Sequence, residues 1–211
     1  MGNLLFHLQF PPPEMAMGIV HNIIFESLDG FQVLTAETGS VSQCIYHVTV
    51  STGPTWGGMG HIAKLFDRPT EAYSWNKKRT FHVTVAASIS PDPGPWIYIG
   101  IGDPMAFDKG IAFYFFQDKI RGLSFDGSDL ETVDLITGLG PGYTFYGDLK
   151  FIHNPGENVK FYIDGILKGT ATLYIPAGYI DEPTIFQAHA SNGAEQQHTL
   201  EFAQIRFDQD L

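Results

Sequence analysis

Polar and apolar residues alternate along much of this chain, which is the pattern of β-strands that bury one face. Between residues 80 and 89 the odd positions are apolar, while the even positions carry polar or small side chains. The segments 143–151 and 159–164 alternate in the same way. No stretch of ten or more residues keeps a helical period with caps, because Pro69 interrupts the best one. The pattern predicts an all-β protein, a single two-sheet antiparallel β-sandwich.

Turn residues separate these runs at short intervals, as in sandwiches and barrels. The predicted strands are residues 19–26, 31–35, 41–51, 60–66, 80–88, 96–101, 110–116, 121–125, 132–136, 143–152, 159–164, 166–173, 184–188 and 198–207. Asp164-Gly165 lies between two apolar runs and predicts a two-residue hairpin, because both central positions of its turn need a positive φ. In the last strand the inward phase changes after Phe202, which predicts a β-bulge near Ala203-Gln204.

The N-terminal segment differs from the rest of the chain. Its apolar residues at alternate positions are Leu4, Phe6, Leu8 and Phe10. Three consecutive prolines follow at 11–13 and form a stiff, extended spacer. We therefore divide the chain into an extended apolar arm with its spacer at 1–18 and a sandwich domain at 19–211. The arm is expected to dock, either on its own body or on a neighbouring subunit, and the sequence leaves both arrangements open.

The segment 159–170, VKFYIDGILKGT, resembles the hairpin of concanavalin A-like and laminin-G-like jelly rolls. Further segments that resemble this superfamily, in the same order along the chain, are 25–30, 75–81, 97–103 and 198–208. The resemblance covers about residues 19–208 and implies two curved antiparallel sheets with a concave face that often binds glycans. It does not imply one function, because the fold hosts lectins, glycan-binding modules, glucanases, lyases and structural modules.

Composition narrows the choice of partners. The chain of 211 residues carries 12 Lys and Arg against 23 Asp and Glu, a net charge of −11. A nucleic-acid binder needs a basic face, and the one basic cluster, Lys77-Lys78-Arg79, is expected to be a solvated loop. The single cysteine, Cys44, excludes an intrachain disulfide, and its strand-like surroundings predict a buried free thiol. No apolar run is long enough for a transmembrane helix, so we expect no membrane insertion. From the charge balance we expect no nucleic-acid binding.

The carboxylates do not form a recognisable catalytic strand. Glucanases of the superfamily that this chain resembles carry a Glu-x-Asp-x-Glu strand, whose alternate positions place the acids on one face, and the sequence has no such motif. Its nearest acidic pairs, in 131–134 and 26–29, are spaced by three and therefore face opposite sides. We expect no catalytic residues, although a carboxylate pair assembled from different strands stays open.

Glycan binding needs flat apolar platforms with a few polar groups beside them. The candidate ligand-binding residues are Trp56, Trp75, Trp96 and Tyr98. Trp56 is the first choice, because a tryptophan among glycines in a turn-rich segment has few core partners nearby. Tyr146 and Tyr162 also lie at outward or ambiguous positions of their strands. Most aromatic residues of a β-sandwich pack in its core, which is the alternative for each candidate.

A structural calcium ion is implied by the same resemblance, because members of the superfamily often hold one between the first and last strands. The residues that map there are Glu26, Asp29 and Asp208. Carboxylate and carbonyl oxygens are the ligands that Ca²⁺ prefers. A second acidic stretch, 126–131, is a candidate oxygen-rich loop, although Asp and Gly are also ordinary β-turn residues.

Two functions from different classes follow from these observations. The first is a non-catalytic, lectin-like surface recognition module that binds glycans. The second is a structural or decoration protein of a virion or another extracellular assembly, a homo-oligomer or larger assembly whose subunits are held by the N-terminal arm. A polysaccharide-active enzyme is the less favoured third. The N-terminus lacks the features of a signal peptide, so an extracellular or virion-surface location would be reached without one, and a cytoplasmic location stays open.

Overall fold

β-strands form the regular structure throughout the computed structural model, which describes residues 18–29, 31–44, 47–54, 57–65, 74–91, 96–102, 109–178, 184–191 and 196–210. The strands are β1 Gly18–Ile23, β2 Gln32–Ala36, β3 Ser40–Cys44, β4 His47–Ser51, β5 Met59–Leu65, β6 Arg79–Ile89, β7 Trp96–Gly102, β8 Gly110–Phe116, β9 Lys119–Phe125, β10 Leu130–Ile136, β11 Tyr143–Asn154, β12 Asn158–Ile163, β13 Ile166–Ala171, β14 Thr184–Ser191 and β15 Thr199–Asp210. The predicted arm residues Leu4, Phe6, Leu8 and Phe10 lie outside the described residues.

The strands form two antiparallel sheets. The eight-stranded sheet has the order β13-β12-β11-β6-β15-β4-β3, with β1 also paired to β15. The seven-stranded sheet has the order β10-β9-β8-β7-β14-β5-β2. β4 and β1 follow one another along the same side of β15, because β4 pairs with residues 199–202 and β1 with residues 205–210. The first and last strands therefore do pair.

The core lies between the two sheets and is rich in phenylalanine. The odd residues of β6 are buried and the even ones are more exposed, as the alternation predicts. The Phe81 and Phe151 rings stack at 5.2 Å within the eight-stranded sheet. Phe113 of the other sheet meets Phe161 edge-on at 5.5 Å. The all-β, two-sheet architecture predicted from the sequence is confirmed.

Two local predictions are also confirmed. Asp164 and Gly165 have φ values of 51° and 75°, and Ile163 pairs with Ile166 across them, as a two-residue hairpin requires. In β15 the pairing with β6 shifts register after Phe202, at the predicted bulge.

The single strand predicted for 41–51 is wrong. This segment forms two strands, β3 and β4, which pair antiparallel with Cys44 opposite His47. Both strands alternate, and no Gly, Pro, Asn or Asp lies between them, so this reversal carries none of the usual turn residues. Cys44 is exposed rather than buried, because β3 is the edge strand of its sheet.

Candidate functional site

An exposed tyrosine stands on the outer face of the eight-stranded sheet. Tyr146 of β11 has 57% of its surface exposed. It lies opposite Ala86 of β6, and Ala86 lies opposite Glu201 of β15. The alanine has too small a side chain to cover the tyrosine ring from the neighbouring strand. The register thus places an aromatic face and a carboxylate on either side of a shallow gap.

A cavity of about 150 Å³ occupies this gap, and we call it the Tyr146 pocket. Its outward-facing lining residues are His47, Thr84, Ala86, Tyr146, Glu201 and Ala203. Ala203 lies in the β15 bulge, where the pairing with β6 is interrupted. The pocket is smaller than the roughly 300–1,000 Å³ of sites that enclose drug-sized ligands. It therefore suits a single small group, such as one ring of a larger molecule.

Two further carboxylates lie beside Tyr146. The Asp148 carboxylate accepts a hydrogen bond from the Thr84 hydroxyl at 2.5 Å, and the Asp164 carboxylate accepts one from the Asp148 N–H at 2.9 Å. Gly147 allows the Asp164 carboxylate to approach this strand closely, because a β-carbon on Gly147 would lie 3.0 Å from an Asp164 oxygen. Burial, followed by the charges of Asp148 and Asp164, raises the pKa of the Tyr146 hydroxyl.

His82 lies next to this acidic group on β6. Its register partners are Lys150 on one side and Arg206 on the other, and its Nε2 is 4.0 Å from an Asp148 oxygen. Burial, opposed by Asp148 but supported by Lys150 and Arg206, lowers the pKa of His82, which favours the neutral imidazole. Arg206 is also bound to Asp208 at 2.8 Å. Along β11, Asp148 thus lies between Tyr146 and Lys150, and Glu201 is the carboxylate that lines the pocket itself.

Two of the predicted ligand residues are buried in the structure. Trp75 is 1% exposed and Tyr98 is 2% exposed. Trp75 packs in the main core, and Tyr98 packs in a second cluster that contains Tyr114 and Leu123. Neither presents a ring face to solvent, which corrects the prediction that they stack on a ligand. Sequence alternation does not reveal which faces are covered by other segments.

The other two predicted ligand residues stay predictions. Trp56 lies outside the described residues, and Trp96 begins β7 with only its backbone described. Tyr146, which carries the pocket, was recognisable in the sequence only by its outward phase in β11. Its importance depends on Ala86 and Glu201, which are far from it in sequence, so no local motif could have identified the pocket.

The three residues predicted to hold calcium are not brought together. Glu26 and Asp29 are exposed, whereas Asp208 is engaged by Arg206. The Gln43 side chain of β3 donates to the Phe25 carbonyl, which places the segment before Glu26 near the β3 edge and away from Asp208. No group of three or more His, Cys, Asp or Glu in the described ranges could hold a metal ion. These residues do not fit a calcium ion in this arrangement.

The second acidic stretch is used for turn and strand contacts. Asp126 accepts hydrogen bonds from the backbone N–H groups of Ser128 and Asp129, at 2.8 and 3.1 Å. The Glu131 carboxylate accepts one from the Thr172 N–H at 2.7 Å. These oxygens therefore stabilise the protein's own backbone.

The outer face of the seven-stranded sheet has a different character. The outward positions of β8 are Ala112, Tyr114 and Phe116, none of which is acidic. Asp134 of β10 is bound to Arg121 at 2.7 Å. In the described part of this sheet, β8 therefore has no row of alternating carboxylates.

No helix in the described ranges is both long and apolar enough to cross a membrane.

Comparison with known proteins identifies the fold. No protein-family model matches the chain, and no curated protein matches it. Among solved structures, Crh5 transglycosylase in complex with NAG has a TM-score of 0.61 at 11% identity, over 90% of this chain and 84% of that chain. Bacillus licheniformis β-glucanase has a TM-score of 0.58 at 16% identity, over 90% of this chain and 98% of that chain.

A third similar structure is that of botulinum neurotoxin type C, a toxin whose cell entry depends on interaction with two ganglioside molecules. Its TM-score is 0.59 at 9% identity, over 84% of this chain and 42% of that chain. The chain thus spans less than half of the toxin chain. These similarities establish the fold: the chain has the concanavalin A-like jelly-roll sandwich fold that the hairpin and the strand order predicted. At such identities they show the fold alone.

Proposed function

We propose that this protein is a non-catalytic glycan-recognition module, and that the Tyr146 pocket binds one ring of a neutral sugar. The observation that carries the proposal is the exposure of Tyr146, at 57% of its surface, beside a cavity of about 150 Å³. A large aromatic side chain exposed on a sheet face next to a cavity is a typical ligand platform.

The pocket has the two kinds of group that sugar recognition uses. The tyrosine ring and the methyl groups of Ala86 and Ala203 offer apolar surface to the C–H face of a sugar. Glu201 and Thr84 line the same cavity and offer hydrogen-bonding oxygens to the sugar hydroxyls. Hydrogen bonds to an ionised acceptor are the stronger kind, so the carboxylate would fix the orientation of the ring.

The charge of the site selects among sugars. Asp148, Asp164 and Glu201 surround Tyr146 or its pocket, and the whole chain carries a net charge of −11. A sugar with a carboxylate, sulfate or phosphate would be repelled at this face. We therefore infer a preference for neutral hexoses over acidic glycans.

The fold relatives support a glycan as the ligand class. Their names include a transglycosylase, a β-glucanase and a toxin whose cell entry involves gangliosides. These properties belong to those proteins, and for the toxin to a chain of which this one spans 42%. They favour sugars over other small ligands for the Tyr146 pocket without naming the sugar.

The test is binding of the full chain to an array of neutral and acidic glycans, once with calcium and once with a chelator. We expect a narrow set of neutral glycans to be bound and Tyr146→Ala to weaken that binding about tenfold or more, which corresponds to roughly 1.4 kcal/mol. Tyr162→Ala is the matched control, because Tyr162 is an outward tyrosine of β12 that does not line the pocket. Binding to no glycan, or equal binding by Tyr146→Ala and the wild type, would overturn the proposal.

Hydrolysis is a second candidate function with one observation in its favour. Asp148 and Glu201 stand on β11 and β15, on either side of β6, so a glycan lying across the pocket would meet a carboxylate from each side. Glycosidases use two such carboxylates. Release of reducing ends from a neutral β-glucan, lost in Glu201→Gln, would favour hydrolysis over simple recognition.

A further inference from the structure

A buried arginine lies at the start of β6, at the opposite face of the sheet from the Tyr146 pocket. Arg79 is 1% exposed, and its Nε donates a hydrogen bond to the Gln209 side chain at 3.0 Å. Its two terminal nitrogens have no hydrogen-bond partner within the described part of the chain. The sequence predicted that Lys77-Lys78-Arg79 is a solvated loop, and this is wrong for Arg79. It shares the inward phase of Phe81, so the strand turns its side chain into the core.

Two more unpaired polar atoms surround this arginine. The guanidinium carbon lies 4.2 Å from the Trp75 ring centroid, and the Trp75 Nε1 has no partner. His153 lies opposite Arg79 in the β11–β6 register, with its ring edge-on to Trp75 at 5.5 Å. Its Nε2 is 3.1 Å from the Pro176 carbonyl. Since a carbonyl only accepts, this nitrogen carries a proton, and the Nδ1 makes no hydrogen bond within the described residues.

The balance of charge in this cluster is positive. Burial lowers the pKa of Arg79 to about 9, so the guanidinium is still protonated at pH 7. The ion pairs formed among the described residues do not include Arg79. Burial, with the charge of Arg79 as a second cause, lowers the pKa of His153 to about 4, so the imidazole is neutral. An unpaired buried cation is strongly unfavourable, and native proteins normally provide a counter-charge.

The cluster is also closed to solvent. Trp75 and Arg79 are each 1% exposed, and His153 is fully buried. The backbone at Gly178, which we call the strap, is bound to the turn that carries Trp75. The Trp75 N–H donates to the Gly178 carbonyl at 2.8 Å, and the Gly178 N–H donates to the Asn76 side chain at 2.9 Å. A ligand here must be completely enclosed, which restricts it to the size of a small ion.

We propose that this cluster is a buried binding site for a small inorganic anion of the chloride class, held by the two terminal nitrogens of Arg79. The Trp75 indole N–H is a further unpaired donor in the same cluster. The anion supplies the counter-charge that the arginine lacks among the described residues. The site is separate from the Tyr146 pocket, and it stabilises the end of the sandwich where the strap crosses.

The test compares the Tm of the full chain in sodium chloride, sodium bromide and sodium methanesulfonate at equal ionic strength and pH. For a halide present at about 100 times its Kd, we expect Tm to rise by roughly 5 °C or more over methanesulfonate. Arg79→Met should abolish this difference, and Trp75→Phe, which removes the indole N–H together with part of the ring, should reduce it. Lys78→Met, which removes the neighbouring exposed cation, is the control and should keep the difference.

Diffraction provides a second measurement in case Arg79→Met does not fold. A crystal of the wild-type chain in bromide should show an anomalous peak within hydrogen-bond distance of the Arg79 terminal nitrogens. The same Tm in all three salts, with no bromide peak, would overturn the proposal, because water or a carboxylate of this chain would then occupy the place beside the arginine. A halide effect that survives in Arg79→Met would also overturn it, since the ion would bind elsewhere.

Discussion

The ring of Phe161, on β12, lies against the bare α-carbon of Gly122, on β9, across the interior of the sandwich. A β-carbon on Gly122 would stand 2.6 Å from two atoms of that ring. Such a distance is far inside van der Waals contact, and Phe161 is fully buried with aromatic neighbours. The glycine therefore sets how closely the two sheets approach at this point.

Gly122→Ala should destabilise the protein by overpacking this contact. Core insertions of this kind cost about 1–3 kcal/mol. The measurement is the free energy of unfolding in urea. The double variant Gly122→Ala/Phe161→Leu should lose less than the sum of the two single losses, because the smaller side chain makes room for the methyl group. Additive losses would show that the ring does not limit the approach of the sheets.

The Asp164-Gly165 turn contributes to the stability of the protein, and it lies beside the candidate site because the Asp164 carboxylate accepts the Asp148 N–H. Gly165 has a φ of 75°, which a residue with a β-carbon adopts at a cost of about 1–2 kcal/mol. Gly165→Ala should lower the free energy of unfolding by that amount in urea denaturation. Asp164→Asn is the control, because asparagine tolerates a positive φ and keeps an oxygen for the Asp148 N–H. An unchanged free energy of unfolding in Gly165→Ala would contradict the prediction, and a large loss in Asp164→Asn would show that the carboxylate charge also contributes.

Strand phase explains why much of the fold could be predicted. In β6 and β12 the burial of alternate residues follows the sequence pattern, and the Asp164-Gly165 turn has a local signal that depends on its own φ values alone. The reversal between β3 and β4 has no such signal, since both strands alternate and ordinary residues connect them. Local chemistry thus predicts strands well and fails where a turn lacks its usual residues.

The site was less predictable, because it depends on which strands become neighbours. Tyr146 and Glu201 lie on β11 and β15, which β12, β13 and β14 separate in the sequence, and only the sheet order places them around Ala86. Trp75 shows the converse, since a tryptophan in a polar turn becomes buried when Arg79 packs on its ring. Whether an aromatic residue faces solvent is decided by tertiary neighbours that a single sequence does not reveal.

Deletion of residues 1–13 tests the assembly hypothesis that the alternating arm and its prolines raised. Docking on a neighbouring subunit predicts an oligomer in the full chain and a smaller species after the deletion. Docking on its own body predicts the same mass for both chains and a lower Tm for the shorter one. Light scattering coupled to size-exclusion chromatography, together with thermal unfolding, separates these outcomes, and unchanged mass and Tm would contradict both forms of docking.

The buried imidazole of His153 makes stability depend on pH. Burial first, and then the charge of Arg79, lowers the pKa of His153 from 6.5 to about 4 in the folded protein. The unfolded chain therefore binds a proton at this residue between pH 6.5 and 4 that the folded chain does not bind. Stability is lost as the pH falls through that range, by up to about 3 kcal/mol from this residue.

His153→Gln isolates this contribution, because the glutamine side chain can still donate to the Pro176 carbonyl but does not titrate. Urea unfolding of both proteins at several pH values between 7 and 4 gives the comparison. The pKa of His82 is also lowered, so His82 destabilises both proteins in the same direction and cancels in the difference. We expect the wild type to lose stability more steeply than the variant as the pH falls. Parallel curves would show that His153 takes up its proton in the folded state as easily as in the unfolded chain, and that the cluster around Arg79 accommodates a second positive charge.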